Sequence, residues 1–68
     1  MAKSLTLDRV KVIAEMARQD ITGEELAQKA VVGRCAVNKA RRGQPVYRTT
    51  AQRIANALNV PLETLMED

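Results

Sequence analysis

Apolar residues recur along this chain in short helical ladders separated by polar punctuation. Val10, Ile13, Ala14 and Ala17 fall at i, i+3, i+4 and i+7, which predicts a first helix over about residues 7–18 with that set as its buried face. Val12 and Met16 broaden the face, Thr6 is the expected N-cap, and Asp8 lies where the helix dipole favours an acid. Met1 to Leu5, ahead of the ladder, are expected to be loose. Thr22-Gly23-Glu24-Glu25 has the form of a capping box, with Ile21 and Leu26 as its hydrophobic staple. A second helix over 23–30 follows, with Leu26, Ala27 and Ala30 as the buried stripe. Val31 to Gly33 is the expected turn into a third helix over 34–41.

Successive helical side chains stand about 100° apart. Val37 and Ala40 therefore share the side of the third helix that faces the other helices. Cys35, Asn38, Lys39 and Arg42 project from the opposite side, with Arg34 and Ala36 flanking them. Arg41 lies nearer the core side, where its stem packs while its charge reaches water. Gly43-Gln44-Pro45 ends this helix, and Val46-Tyr47-Arg48 is expected to be a connecting loop. Thr49 to Gln52 matches a second capping box, and Ala51, Ile54, Ala55 and Leu58 predict a fourth helix over 50–58. Pro61 suits the first turn of a short fifth helix over 62–66, with Leu62, Leu65 and Met66 as its apolar side. The expected fold class is all-α: one compact five-helix domain over residues 1–68, without repeats or linkers.

Composition narrows the chemistry. The 68 residues include no Phe, Trp or His and one aromatic, Tyr47, so the core is small and built closely around Ala, Val and Leu. Cys35 is the single cysteine, which rules out an internal disulfide, and the lack of His excludes the usual Cys/His zinc site. Paired carboxylates and phosphate-cradling glycine loops are absent too, so neither an enzyme nor a cofactor, metal or small-molecule ligand is expected. No apolar run approaches a membrane span and no secretory segment precedes the first helix, so a cytoplasmic protein without a membrane partner is expected.

Charge changes the picture most. The net charge of +3 divides into −1 over residues 1–25, +7 over 26–62 and −3 over 63–68. The central block carries Lys29, Arg34, Lys39, Arg41, Arg42, Arg48 and Arg53 with no acid. Merely soluble faces usually intersperse both signs. A block of one sign is the footprint of a polyanionic partner.

Leu26, Ala27, Val32, Val37, Ala40 and Gly43, taken with the run Thr50 to Leu65, resemble the Cro/cI-type (XRE-like) helix-turn-helix family of bacterial and phage repressors. The likeness covers about residues 6–66. It implies a lambda-repressor-like DNA-binding domain with the helix-turn-helix at helices 2 and 3, the second lying across the DNA backbone and the third entering the major groove. The implied function is that of a transcriptional regulator, expected to be a repressor. Such a regulator is expected to bind a two-half-site operator in double-stranded DNA as a homodimer, in the bacterial cytoplasm or nucleoid or a phage-infected cell.

Carried onto this chain, the resemblance makes Arg34, Cys35, Ala36 and Lys39 the candidates for base contact. Arg34 or Lys39 would donate to guanine, and Ala36 or Cys35 would pack on a thymine methyl. Thr22, Gly23, Asn38, Arg42, Gln44 and Arg48 are the candidates for phosphate contact, with the backbone N–H groups at the start of the second helix. Val46, Tyr47, Leu62, Leu65 and Met66 are candidates for a dimer interface, the last three being equally expected as plain core of a monomer. Tyr47 either meets a sugar or phosphate or fills a seam beside the fourth helix. Lys29 and Arg53 are expected to be ordinary surface charges. A disulfide switch at Cys35 would need an intermolecular partner.

Three positions depart from the family pattern. Val31 stands where Gly is common in the turn, Gly23 where Gln often opens the second helix, and Arg41 where an acid is frequent. The competing expectation is a protein–protein module, antitoxin-like or an adaptor, that keeps the same helices.

Overall fold

The computed structural model describes residues 4–66. The elements run β1 (Ser4–Thr6), α1 (Arg9–Arg18), α2 (Gly23–Ala30), α3 (Arg34–Arg41), β2 (Pro45–Tyr47), α4 (Arg48–Ala57) and α5 (Leu62–Leu65). Five helices stand close to where periodicity places them, but the fold is mostly helical rather than all-α. β1 and β2 pair antiparallel, with Ser4 opposite Tyr47, Leu5 opposite Val46 and Thr6 opposite Pro45. The expected loose start is thus a strand from Ser4, and the expected loop at Val46 and Tyr47 is its partner. Met1–Lys3, the rest of that first expectation, lie outside the described residues, as do Glu67 and Asp68.

Pairing moves the caps. Thr6 is held in β1, so Asp8 caps α1, its Oδ1 accepting the Val10 N–H at 2.9 Å and the Lys11 N–H at 3.3 Å. Tyr47 ends β2 and is itself the N-cap of α4. Helix α4 therefore begins at Arg48, and Thr49 lies inside it instead of opening a capping box. Pro61 caps α5 from just outside its first turn.

The largest correction concerns α1. Its buried residues are Val12 and Met16, while Val10 is 65% and Ile13 44% exposed and Ala14 and Ala17 are exposed. The helix presents nearly the opposite face from the one its ladder suggests. Leu7, fully buried beside the strand, and Gln19, whose amide donates to the Leu58 carbonyl at 2.6 Å, hold it in that rotation. The bulkier Val12 and Met16 fill the core where Ala14 and Ala17 would leave space.

The rest of the predicted core is buried, and Leu7, Val46 and Ala57, which no ladder marks, join it. Leu26, Ala27 and Ala30 of α2, Val37 and Ala40 of α3, Ala51, Ile54 and Ala55 of α4, with Leu58 and Leu65, are all buried together. No polar or charged side chain is buried among the described residues. Leu7 also bridges to Met66, and the Asp8 N–H donates to the Leu65 carbonyl at 2.7 Å, so the two ends of the described chain close on each other. No helix among the described residues is long and apolar enough to cross a membrane.

Candidate nucleic-acid interface

The site is built from the α2–turn–α3 unit outward. At the start of α2 the capping box is complete. The Glu25 N–H donates to Thr22 Oγ1 at 3.1 Å, and the Thr22 N–H donates to Glu25 Oε1 at 3.0 Å. Those bonds hold the Glu25 carboxyl below its ordinary range, the backbone N–H of Thr22 contributing most. Helix α2 ends at Val31 in the left-handed region, φ 57° and ψ 47°, where the Val32 N–H donates to the Ala27 carbonyl at 3.0 Å. Arg53 donates to the Val31 carbonyl at 3.2 Å. A residue expected to be an ordinary surface charge therefore closes the turn. Gly33, extended at φ −71°, caps α3 without a side-chain hydrogen bond.

Helix α3 divides as its sequence predicts. Val37 and Ala40 are buried, and Arg34, Cys35, Asn38, Lys39 and Arg42 are exposed. Ala36 is half-buried. The four base-contact candidates lie in the first six residues of the helix, and Cys35, Ala36 and Lys39 line one open recess with Tyr47. Of the phosphate-contact candidates, Thr22 and Gly23 stand at the opposite end of the α2–α3 unit from this recess, beside Arg41. Asn38 and Arg42 share a shallow depression with Arg41 and Ile13. Gln44 and Arg48 are exposed on either side of β2.

Arg41, expected to pack its stem near the core and not counted among the candidate contacts, has a specific neighbour in Gly23. A Cβ at Gly23 would lie 3.0 Å from Arg41 Nη1 and 3.8 Å from Val37 Cγ1. The missing side chain at Gly23 is thus what admits the Arg41 guanidinium to the start of α2. The signal was present in the sequence: Arg41 is four residues after the buried Val37, on the side facing α2, opposite a helix that opens with glycine.

All seven cations of the central block are exposed. Among the described residues the ion pair is Glu15–Arg18, on α1, and none of the seven takes part in one. Arg34 and Arg48 are the first residues of α3 and α4, and neither helix has an acid in its first turn. A cation there opposes the helix dipole by about 0.3–1 kcal/mol. By contrast α2 opens with Glu24 and Glu25. Both arginines therefore stand against local preference at the positive ends of two helices, where an approaching anion would meet helix dipole and side chain together.

The interface candidates near the C-terminus separate. Val46 and Leu65 are buried in the core of this chain, Leu62 and Met66 are half-buried against it, and Tyr47 is 61% exposed. Tyr47 therefore does not fill a seam. Compared with protein-family models, curated proteins and solved structures, the chain matches none.

Proposed function

We propose that this chain is a sequence-specific double-stranded DNA-binding regulator of the Cro/cI type, with α2 and α3 as a lambda-repressor-like helix-turn-helix. In this reading α3 lies in the major groove, and two copies occupy an operator of two half-sites. One observation carries it: α3 buries Val37 and Ala40 and turns Arg34, Asn38, Lys39 and Arg42 outward without an acid among them. Arg34 and Lys39 supply the donors for guanine edges. Arg41, the N–H groups that open α2, Arg42 and Arg48 take phosphates on either side. Repression is the regulatory outcome this reading favours, because a protein seated on an operator excludes other proteins from it.

In vitro selection from random duplex DNA tests the reading, followed by titration of the enriched site at two salt concentrations. A palindromic motif with half-sites about one helical turn apart and a steep loss of affinity with salt is expected. A second reading, a protein-binding module, is favoured by the exposed Val10 and Ile13 on α1. It predicts no enriched motif and weak, salt-insensitive association with DNA.

A further inference from the structure

Val10, Ile13, Ala14 and Ala17, the helical ladder of α1, are all exposed, so one face of the helix is apolar and open for about two turns. At its α2 end the stripe opens into a trough lined by Met16, Ile21, Thr22 and Gly23. The last turn of α3 runs along one flank. Arg42 and Asn38 share a depression with Ile13, and Arg41 borders both that depression and the trough. A Cβ at Gly43, just beyond α3, would lie 3.7 Å from the Cβ of Arg9. Three exposed arginines, Arg9, Arg42 and Arg41, therefore edge one side of the stripe. No acid lines either hollow, and Glu15 of α1 is held by Arg18 at 2.6 Å. Asp20 and Glu24 adjoin the trough along the chain only at its α2 end.

Apolar side chains at helical spacing, with cations down one edge, complement an amphipathic helix that carries carboxylates down the matching edge. We propose that the α1 stripe docks such an acidic amphipathic helix from a partner protein, its apolar residues on Ile13 and Ala17 and its carboxylates on Arg41 and Arg42. Nucleic acid would satisfy the arginines but leave the apolar stripe in water. A second copy packed antiparallel on the stripe would set Arg42 against its own counterpart, like charge on like. Docking on α1 does not depend on the DNA-binding function proposed above.

The test selects displayed random peptides about 14 residues long, roughly four helical turns, against the whole chain. The expected pattern is apolar residues at i, i+3 or i+4, and i+7, with Asp or Glu along one edge. Ile13→Asn and Arg41→Gln are each expected to weaken the best peptide about fivefold. Lys29→Gln, outside both hollows, should leave it unchanged, all three variants keeping the wild-type helical circular dichroism. Selection of no such pattern, or binding indifferent to Ile13→Asn, overturns the proposal. Equal losses in Lys29→Gln and Arg41→Gln also overturn it, because charge alone then holds the peptide. Sedimentation showing a dimer that Ile13→Asn splits would make a second copy the occupant. Duplex DNA weakened by Ile13→Asn as much as the peptide would make nucleic acid the occupant, and either result overturns the proposal.

Discussion

Val31 occupies the left-handed region with a β-branched side chain that is 75% exposed. An L-residue pays roughly 1–2 kcal/mol there, and so exposed a side chain recovers little by burial. Val31→Gly should therefore stabilise the protein by about 1 kcal/mol after the greater unfolded-state freedom of glycine is allowed for, raising the melting temperature by about 4–8 °C. Thermal melting by circular dichroism reads this directly, and an unchanged or lower midpoint would contradict the strain argument. Arg34 and Arg48 pose the same conflict in electrostatic form. Each opens a helix whose dipole disfavours it, so alanine at either position should leave stability equal or a few tenths of a kcal/mol higher. The functional effects should diverge. Arg34→Ala is expected to cost about 1–3 kcal/mol of discrimination at one base position. Arg48→Ala should weaken all sequences alike and lower the salt slope by about 1. Competition titrations against single-base variants of the selected site separate the two.

At the scale of the element, α2 is the part most completely specified by its own sequence. The capping box and the buried stripe both stand where their spacing puts them, because each depends on residues no more than four apart. The Glu25 carboxyl sits below its ordinary range in the fold, so its contribution to stability is present above the pH at which it titrates in the unfolded chain. That contribution disappears as pH falls through the depressed folded value. The Glu15–Arg18 pair on α1 acts in the same direction, the Arg18 hydrogen bond being the main cause. Urea midpoints measured from neutral pH down through the carboxylate range should fall, and Glu25→Gln should fall less steeply, since glutamine keeps the capping geometry without the charge. Equal slopes for the two proteins would remove Glu25 from the account. Helix α1 is the opposite case. Its sequence carries apolar residues on two faces, and local periodicity had no means of choosing between Val10–Ile13 and Val12–Met16.

Considered whole, the molecule is a small core with little reserve. A chain of this length has about 3–10 kcal/mol of stability, and the core contains no residue larger than Leu, Ile or Met. Leu26→Ala, at a fully buried position joining α2 to its neighbours, should cost about 2–5 kcal/mol. Much of the protein should then be unfolded at 37 °C, seen as lost helical signal and an early urea midpoint. A near-wild-type midpoint would mean that the core closes around the gap. The described body measures 34 × 25 × 19 Å. In the proposed function, two such bodies with α3 helices about 34 Å apart on one face of DNA are close enough to touch. Tyr47 is the surface still open for that contact once Val46 and Leu65 are seen to be core.

Spacing along the chain is enough to give the number and approximate places of the helices, the capping of α2, and the division of α3 into a buried Val37–Ala40 side and an outward cationic side. Each of these follows from backbone geometry and from residues within a turn or two of one another. The rotation of α1, the pairing of β1 with β2 about forty residues further on, and the recess between α3 and Tyr47 arise only in the packed fold. Three-residue strands carry no alternation to read, and a helix with two apolar faces takes its rotation from what it packs against. Those choices are made by contacts between distant segments, which neither spacing nor composition encodes.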